Sequence, residues 1–219
     1  RQPGVERCDW SVRTQAHVDA GSQQILHRER PRTPLAPDLI GQVAIIEQVR
    51  SRITVPLAVK LSQHITGLSS FARGAESAGA NGLVLFNRFY GAETDVDALT
   101  LTSRLALSSP DELRLPLRWI GILRAQRPEL SLAATSGVHS GQDAAKALLV
   151  GANVACTTSA VLQSGPGKIA AMLTELTDWL VTHEYDSVRQ LQGSMSAANV
   201  PDPGEFERAQ YMKVITAGV

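Results

Sequence analysis

Two short turns carry the clearest chemical potential in this chain. Ser136, Gly137 and Val138 end the stretch "SLAATSGV", and Thr158, Ser159 and Ala160 end "NVACTTSA". Each follows a short run of small or β-branched residues, and a helix-length segment separates the two. Neither turn contains Arg or Lys. Such turns bind anions through the main chain. Backbone N–H groups between a strand and the next helix can cradle a phosphate without a side-chain cation. Small residues let a phosphate approach the backbone closely. The ordinary alternative is a pair of tight turns in an α/β sheet. A single glycine turn is weak evidence; two, one helix apart, are better evidence.

These turns require strands before them and helices after them, and the rest of the sequence supplies both. Four short apolar runs, residues 55–62, 82–87, 130–135 and 153–158, read as buried strands. Helical segments alternate with them. Asp38 is placed to cap a first helix carrying Leu39, Val43, Ile46 and Val49. "GLSSFARGAESAGA" gives a second helix, with Ser69 or Ser70 near its cap. "SSPDELRLPLRWIGILRAQRPEL" starts with a Ser-Pro-Asp-Glu helix signal, and Pro116 must bend or delay that helix. Leu113, Leu117, Ile120 and Leu123 share its apolar face. "GQDAAKALLVGA" and the long amphipathic "SGPGKIAAMLTELTDWLVTHEY" follow. The pattern predicts an α/β fold with a parallel sheet. A complete (β/α)8 barrel takes about 250 residues. Here only the portion from residue 38 onward reads as foldable, so the sheet is open or is part of a barrel. Residues 1–37 show no sustained period and are expected to be a poorly ordered segment outside the fold. A helical turn is conceivable across residues 16–26.

Composition narrows the function classes. The 219 residues hold 21 Lys+Arg and 21 Asp+Glu. That balance argues against a nucleic-acid surface or an anionic membrane as the main partner. No stretch approaches the ~20 apolar residues of a membrane helix. Two cysteines, Cys8 and Cys156, without a CxxC, suggest neither a disulfide framework nor a metal site. The expected location is the cytoplasm.

Five blocks in order carry a resemblance to a known family: "PLAVKLS", "AGANGLVLFNRFY", "LSSPDELRLPLRWIGILR", "SLAATSGVHSGQDAAKALLVGANV" and "GSMSAANVPDPGEFERAQYMKV". Together they resemble the C-terminal part of the FMN-dependent dihydroorotate dehydrogenase family, in its dehydrogenase-like branch. The family is built on a (β/α)8 TIM barrel. The resemblance implies that the four strands are the last four of eight, with domain boundaries at 1–37 and 38–219. It implies FMN as cofactor and a small-molecule substrate. It assigns Lys60 to the flavin, where a fixed ammonium stabilises negative charge as the ring is reduced. It assigns Asn87 to the substrate, and the two turns to the FMN phosphate. Arg88 stands where the family commonly has a small hydroxyl residue. Ser136 and Gly137 stand where it usually has two glycines, so Ser136 is expected to keep a negative φ. Thr158 and Ser159 replace a Gly-Thr pair. No catalytic base carries over.

Other residues invite blander readings. His139 reads as an exposed loop histidine. Cys156, among apolar neighbours, reads as a buried core thiol. Trp119 and Trp179 read as core packing. Asp95 and Asp97 lie in a connection whose alternation predicts a small hairpin, where they would be a solvated edge. Three functions stay open: an FMN oxidoreductase of pyrimidine biosynthesis, a non-catalytic partial barrel, or a phosphate-binding aldolase with a Lys60 Schiff base. A partial barrel leaves strand edges uncovered, and a homodimer is one way to cover them.

Overall fold

The computed structural model describes Val18–Asp19, residues 36–207 and Thr216. In chain order its elements begin with β1 (Val18–Asp19), α1 (Ala36–Arg50), β2 (Ala58–Ser62), α2 (Leu68–Ser77) and β3 (Gly82–Asn87). A hairpin of β4 (Glu93–Asp95) and β5 (Thr100–Thr102) follows, then a 3-10 turn (Pro110–Leu113), α3 (Arg114–Gln126), β6 (Ser131–Ala134), α4 (Gly141–Val150) and β7 (Val154–Ala155). The chain continues with α5 (Ser159–Ser164), α6 (Gly167–Thr182), α7 (Val188–Leu191) and α8 (Gly204–Glu207). The main sheet runs β1-β2-β3-β6-β7, and every pairing in it is parallel. The four predicted strands are therefore neighbours in chain order. The fold is α/β, a segment of a β/α barrel.

β1 is a correction. Val18 and Asp19 are extended, not helical, and pair with Val59 and Lys60. They satisfy main-chain groups on the edge of β2 that would otherwise be unpaired. The rest of residues 1–35 lies outside the described residues.

The strands also depart from the expectation of full burial. β2 alternates: Val59 and Leu61 are buried, while Ala58, Lys60 and Ser62 are half-exposed. β6 does the same, with Leu132 and Ala134 buried. A parallel strand is covered on both faces only when both layers exist. Here helices cover one face, and among the described residues no layer of strands faces the other. The core lies on the helix side, where Ile46, Leu57, Phe71, Leu83, Ile120, Leu123 and Leu130 are buried.

A short repeat locks the strands together. Gly79-Ala80-Asn81 ends α2, and Gly151-Ala152-Asn153 ends α4. Both glycines are left-handed, at φ +94° and +116°. Both alanines are buried. Asn81 Oδ1 then accepts the Leu57 N–H at 2.9 Å, and Asn153 Oδ1 accepts the Leu132 N–H at 2.8 Å. Each asparagine thus pairs a backbone donor at the start of the preceding strand of the sheet. Asn153 also accepts from the Arg124 guanidinium, which donates to the Gly151 carbonyl. Asn81→Ala should cost about 1–3 kcal/mol, the penalty of a backbone donor left without a partner. Asn153→Ala should cost more, because it also strips Arg124 of an acceptor. Urea unfolding midpoints of the two variants check this order.

The helices follow their signals with local changes. Pro116 sits in the first turn of α3, where a missing N–H costs nothing, and the 3-10 turn supplies the expected delay. Gly67, not a serine, caps α2. Trp119 packs against the core. Trp179 does not: it is half-buried and stacks on His183 at 4.0 Å and Tyr185 at 5.8 Å. The long amphipathic helix begins at Gly167, and Gly165-Pro166 separates it from α5. In α6, Met172 is buried, while Ile169, Leu173 and Val181 are exposed.

Candidate functional site

The carboxyl ends of β2, β3, β6 and β7 open onto one cleft of about 200 Å³. Its wall contains Lys60, Asn87, Ser136, Gly137, Val138, Thr158 and Ser159. These residues come from four separate strand ends and converge because the strands are parallel and adjacent. Ala160 does not reach the cleft; it is buried in α5. A neighbouring cleft of about 280 Å³ shares Phe86, Asn87, Arg88 and Ser136 with it.

The first turn has the shape of an anion cradle. Ser136 and Gly137 are both left-handed, at φ +71° and +81°. The expectation of a negative φ at Ser136 is therefore wrong. The turn keeps the backbone that two glycines would adopt and places a Cβ in it, at roughly 1–2 kcal/mol of strain. Among the described residues, no hydrogen bond occupies the backbone N–H groups of Gly137 and Val138. Ser136→Gly should stabilise the chain by about 1 kcal/mol by relieving this strain, less the entropy glycine adds to the unfolded state. A thermal melt that does not rise would contradict it.

Gly137 has a second reason to be glycine. A Cβ there would meet the backbone nitrogen of Leu113 and lie 2.8 Å from the Leu113 Cβ. The turn is packed against the start of α3. Its small size serves the fold as well as any ligand.

Lys60 is half-buried in the cleft, and among the described residues its ammonium has no hydrogen bond or ion pair. Cys156 lines the same wall. It is half-buried just beyond β7, which corrects the core-thiol reading. Burial pushes its thiol above the usual range, against the opposing charge of Lys60. The thiol therefore stays protonated near neutrality and is a poor nucleophile.

Arg88 is committed to structure. Its guanidinium makes two 3.0 Å hydrogen bonds to Glu112 and one to the Ala106 carbonyl, and lies over the Tyr90 ring. Glu112 also accepts the Ser109 N–H at 3.1 Å. Asp95 Oδ1 accepts the N–H groups of Asp97 and Ala98 and so closes the predicted hairpin. Among the described residues it has no acid–base partner in that role.

His139 is not an exposed loop residue. It is half-buried, and its Nε2 lies 3.1 Å from the Ser108 hydroxyl. Its N–H donates to Asp143, which also accepts from the Ser140 hydroxyl and from Lys146. Burial pushes the Asp143 carboxyl up. The hydrogen bonds from Ser140, Lys146 and His139, with the Lys146 charge, outweigh that and hold it below its ordinary 3.8. A depressed carboxyl gives stability that is complete above the unfolded value and is lost as pH falls through the folded one. Asp143→Asn should therefore lose stability at neutral pH and lose less on acidification below pH 3.8 than the parent. Unfolding midpoints across that window measure it.

Sequence reasoning missed Ser108. It lies in the connection after β5, is buried, and lines the cleft. Its only signal was its place in the matched block "LSSPDELRLPLRWIGILR". Among the described residues, no cluster of His, Cys, Asp or Glu could hold a metal ion, and no helix is long and apolar enough to cross a membrane.

No family model matches the chain. Curated relatives do. It is 28% identical over 155 residues to the dihydroorotate dehydrogenase B (NAD(+)) catalytic subunit of Citrifermentans bemidjiense, covering 69% of this chain and 50% of that protein. It is 32% identical over 120 residues to dihydroorotate dehydrogenase A (fumarate) of Lacticaseibacillus paracasei, covering 53% and 41%. It is 23% identical over 173 residues to the chloroplastic dihydropyrimidine dehydrogenase (NADP(+)) of Arabidopsis thaliana, covering 70% and 40%. The chain spans about half the length of the curated relatives it matches. The parallel βα core and these matches make the chain a relative of the dihydroorotate dehydrogenase family.

Proposed function

We propose that this chain forms the phosphate-and-ring wall of an FMN site in a dihydroorotate dehydrogenase-like oxidoreductase. The observation that carries this reading is the meeting of Lys60, Asn87 and both turns in one cleft. The residues fit the cofactor's chemistry. N–H groups at Gly137 and Val138 that have no partner among the described residues suit a phosphate. An ammonium at Lys60 with no anionic partner among the described residues suits the electron-rich edge of the flavin. Held there, FMN would supply a hydride acceptor for a dihydroorotate-like substrate, the chemistry of a pyrimidine-biosynthetic oxidation. Lys60 holds positive charge beside the ring, and the Asn87 carboxamide stands in the cleft wall on the side proposed for the substrate. The turns anchor the phosphate end. Conditions in the cytoplasm, where Cys156 stays a thiol, suit this role, and a homodimer would cover exposed α6 residues.

One observation favours a second reading. Small-molecule sites usually enclose ~300–1,000 Å³, and this cleft measures about 200 Å³. A non-catalytic partial barrel that binds a phosphate ligand would need no more. Retention of yellow FMN by the folded chain after desalting supports the oxidoreductase. Retention of phosphate alone supports the second reading. Borohydride trapping of a carbonyl substrate on Lys60 would replace both with an aldolase.

A further inference from the structure

After the first turn the chain enters α4; after the second it runs through α5 and the Gly165-Pro166 joint into α6. α6 then lies back on the start of α4 and closes the loop that carries both turns. That return contact is close. A Cβ on Gly141, the first residue of α4, would lie 2.6 Å from the Met172 carbonyl oxygen and 2.5 Å from the Leu176 nitrogen, both in α6. A helix start leaves its first N–H groups without partners inside the helix. In α4 the Asp143 N–H donates to Ser140 Oγ at 3.1 Å. The Gly141 N–H donates outside the helix, to Glu175 Oε2 of α6 at 2.6 Å. A carboxylate is favoured there by the helix dipole and by its charge. The other oxygen of Glu175 lies 3.8 Å from the Lys168 ammonium, two turns earlier in α6. Glu175 is not in the wall of either cleft.

We propose that Glu175 is a positioning residue: its bond to Gly141 fixes α6 on α4 and so sets the separation of the two turns. This rests on the phosphate reading of those turns. The first turn leads into the start of α4, and the second is joined to α6 by the short α5. A shift of α6 along α4 therefore moves one turn against the other. A phosphate that takes donors from both turns needs one fixed separation. A ligand that touches only the Lys60 side does not.

The test is titration of the whole chain with inorganic phosphate, FMN and riboflavin, beside hydrogen exchange by mass spectrometry without ligand. Glu175→Ala should weaken phosphate and FMN about fivefold, the scale of residues that couple sites without touching a ligand. Riboflavin, which carries no phosphate, should bind as it does to the parent. Glu175→Asp keeps the charge and lacks the reach, so it should lose as much; it carries the test if the alanine variant does not fold. Glu175→Gln keeps both reach and an acceptor, and should stay within about twofold of the parent. In the ligand-free chain, Glu175→Ala should speed exchange in residues 136–140 and 158–162 together and leave β2 and β3 unchanged. Parental phosphate affinity in a folded Glu175→Ala chain, or Glu175→Gln as weak as Glu175→Ala, would overturn the proposal. So would exchange that rises evenly across the sheet, the mark of a merely structural role. Coupled exchange in a chain that binds neither phosphate nor FMN sinks the phosphate reading and keeps Glu175 as the tie between the turns.

Discussion

Gly137→Val is expected to destabilise the chain by about 2–5 kcal/mol. Left-handed backbone costs a Cβ-bearing residue roughly 1–2 kcal/mol, and overpacking typically adds ~1–3 kcal/mol. Gly137 sits at φ +81°, and any Cβ there runs into the backbone of Leu113. The side chain would point at the start of α3, so the damage falls on the fold first. A total near 5 kcal/mol reaches the whole stability of many small domains. Ligand loss in this variant would then report unfolding, not a blocked phosphate. Ser136→Gly is the informative companion, since it relaxes the same turn without a clash. Urea titration of Gly137→Val checks the prediction, and a midpoint equal to the parent's would refute the packing argument.

Lys60→Ala is expected to slow flavin reduction by about 10²–10³, the usual loss for one fixed electrostatic contact at developing charge. Its effect on FMN affinity should be small by comparison, because in the proposed site the turns at Ser136-Gly137 and Thr158-Ser159 would hold the opposite end of the ligand. Lys60→Arg should recover binding and part of the rate, since charge is kept while geometry changes. Stopped-flow bleaching of the flavin band, read beside a binding titration, separates the two effects. Equal losses in binding and rate would place Lys60 at the phosphate and contradict its assignment to the ring.

Much of this was legible from residue order. Strand runs, the Ser-Pro-Asp-Glu helix start and the alternation around Val96 and Leu101 each state a local preference, and packing agreed with it. Convergence of Lys60, Asn87 and the two turns followed from parallel topology, which puts successive strand ends side by side. Other features were set by contacts distant in sequence. Ser136 adopts a left-handed φ that no serine prefers, because its turn is wedged between β6 and the start of α3. His139 looked free until Ser108 arrived from a loop far upstream. Arg88 showed in the sequence only as a departure from a small hydroxyl residue, and Glu112, far along the chain, takes its guanidinium in a two-pronged bond. Trp179 carried a core-like side chain onto a helix whose outer apolar residues the described residues leave exposed. Periodicity says which face of a helix is apolar, and only the neighbouring elements decide whether that face is covered.

The central claim is that one cleft binds the phosphate of FMN at the two turns and the flavin ring at Lys60. Parallel titrations of the folded chain with FMN and with riboflavin test it most directly. Both carry the ring, and only FMN carries the phosphate. The account predicts that FMN binds and riboflavin binds far more weakly. Ser136→Gly should preserve that difference. Equal binding of the two, or binding of neither by a chain whose circular dichroism shows it folded, would contradict it.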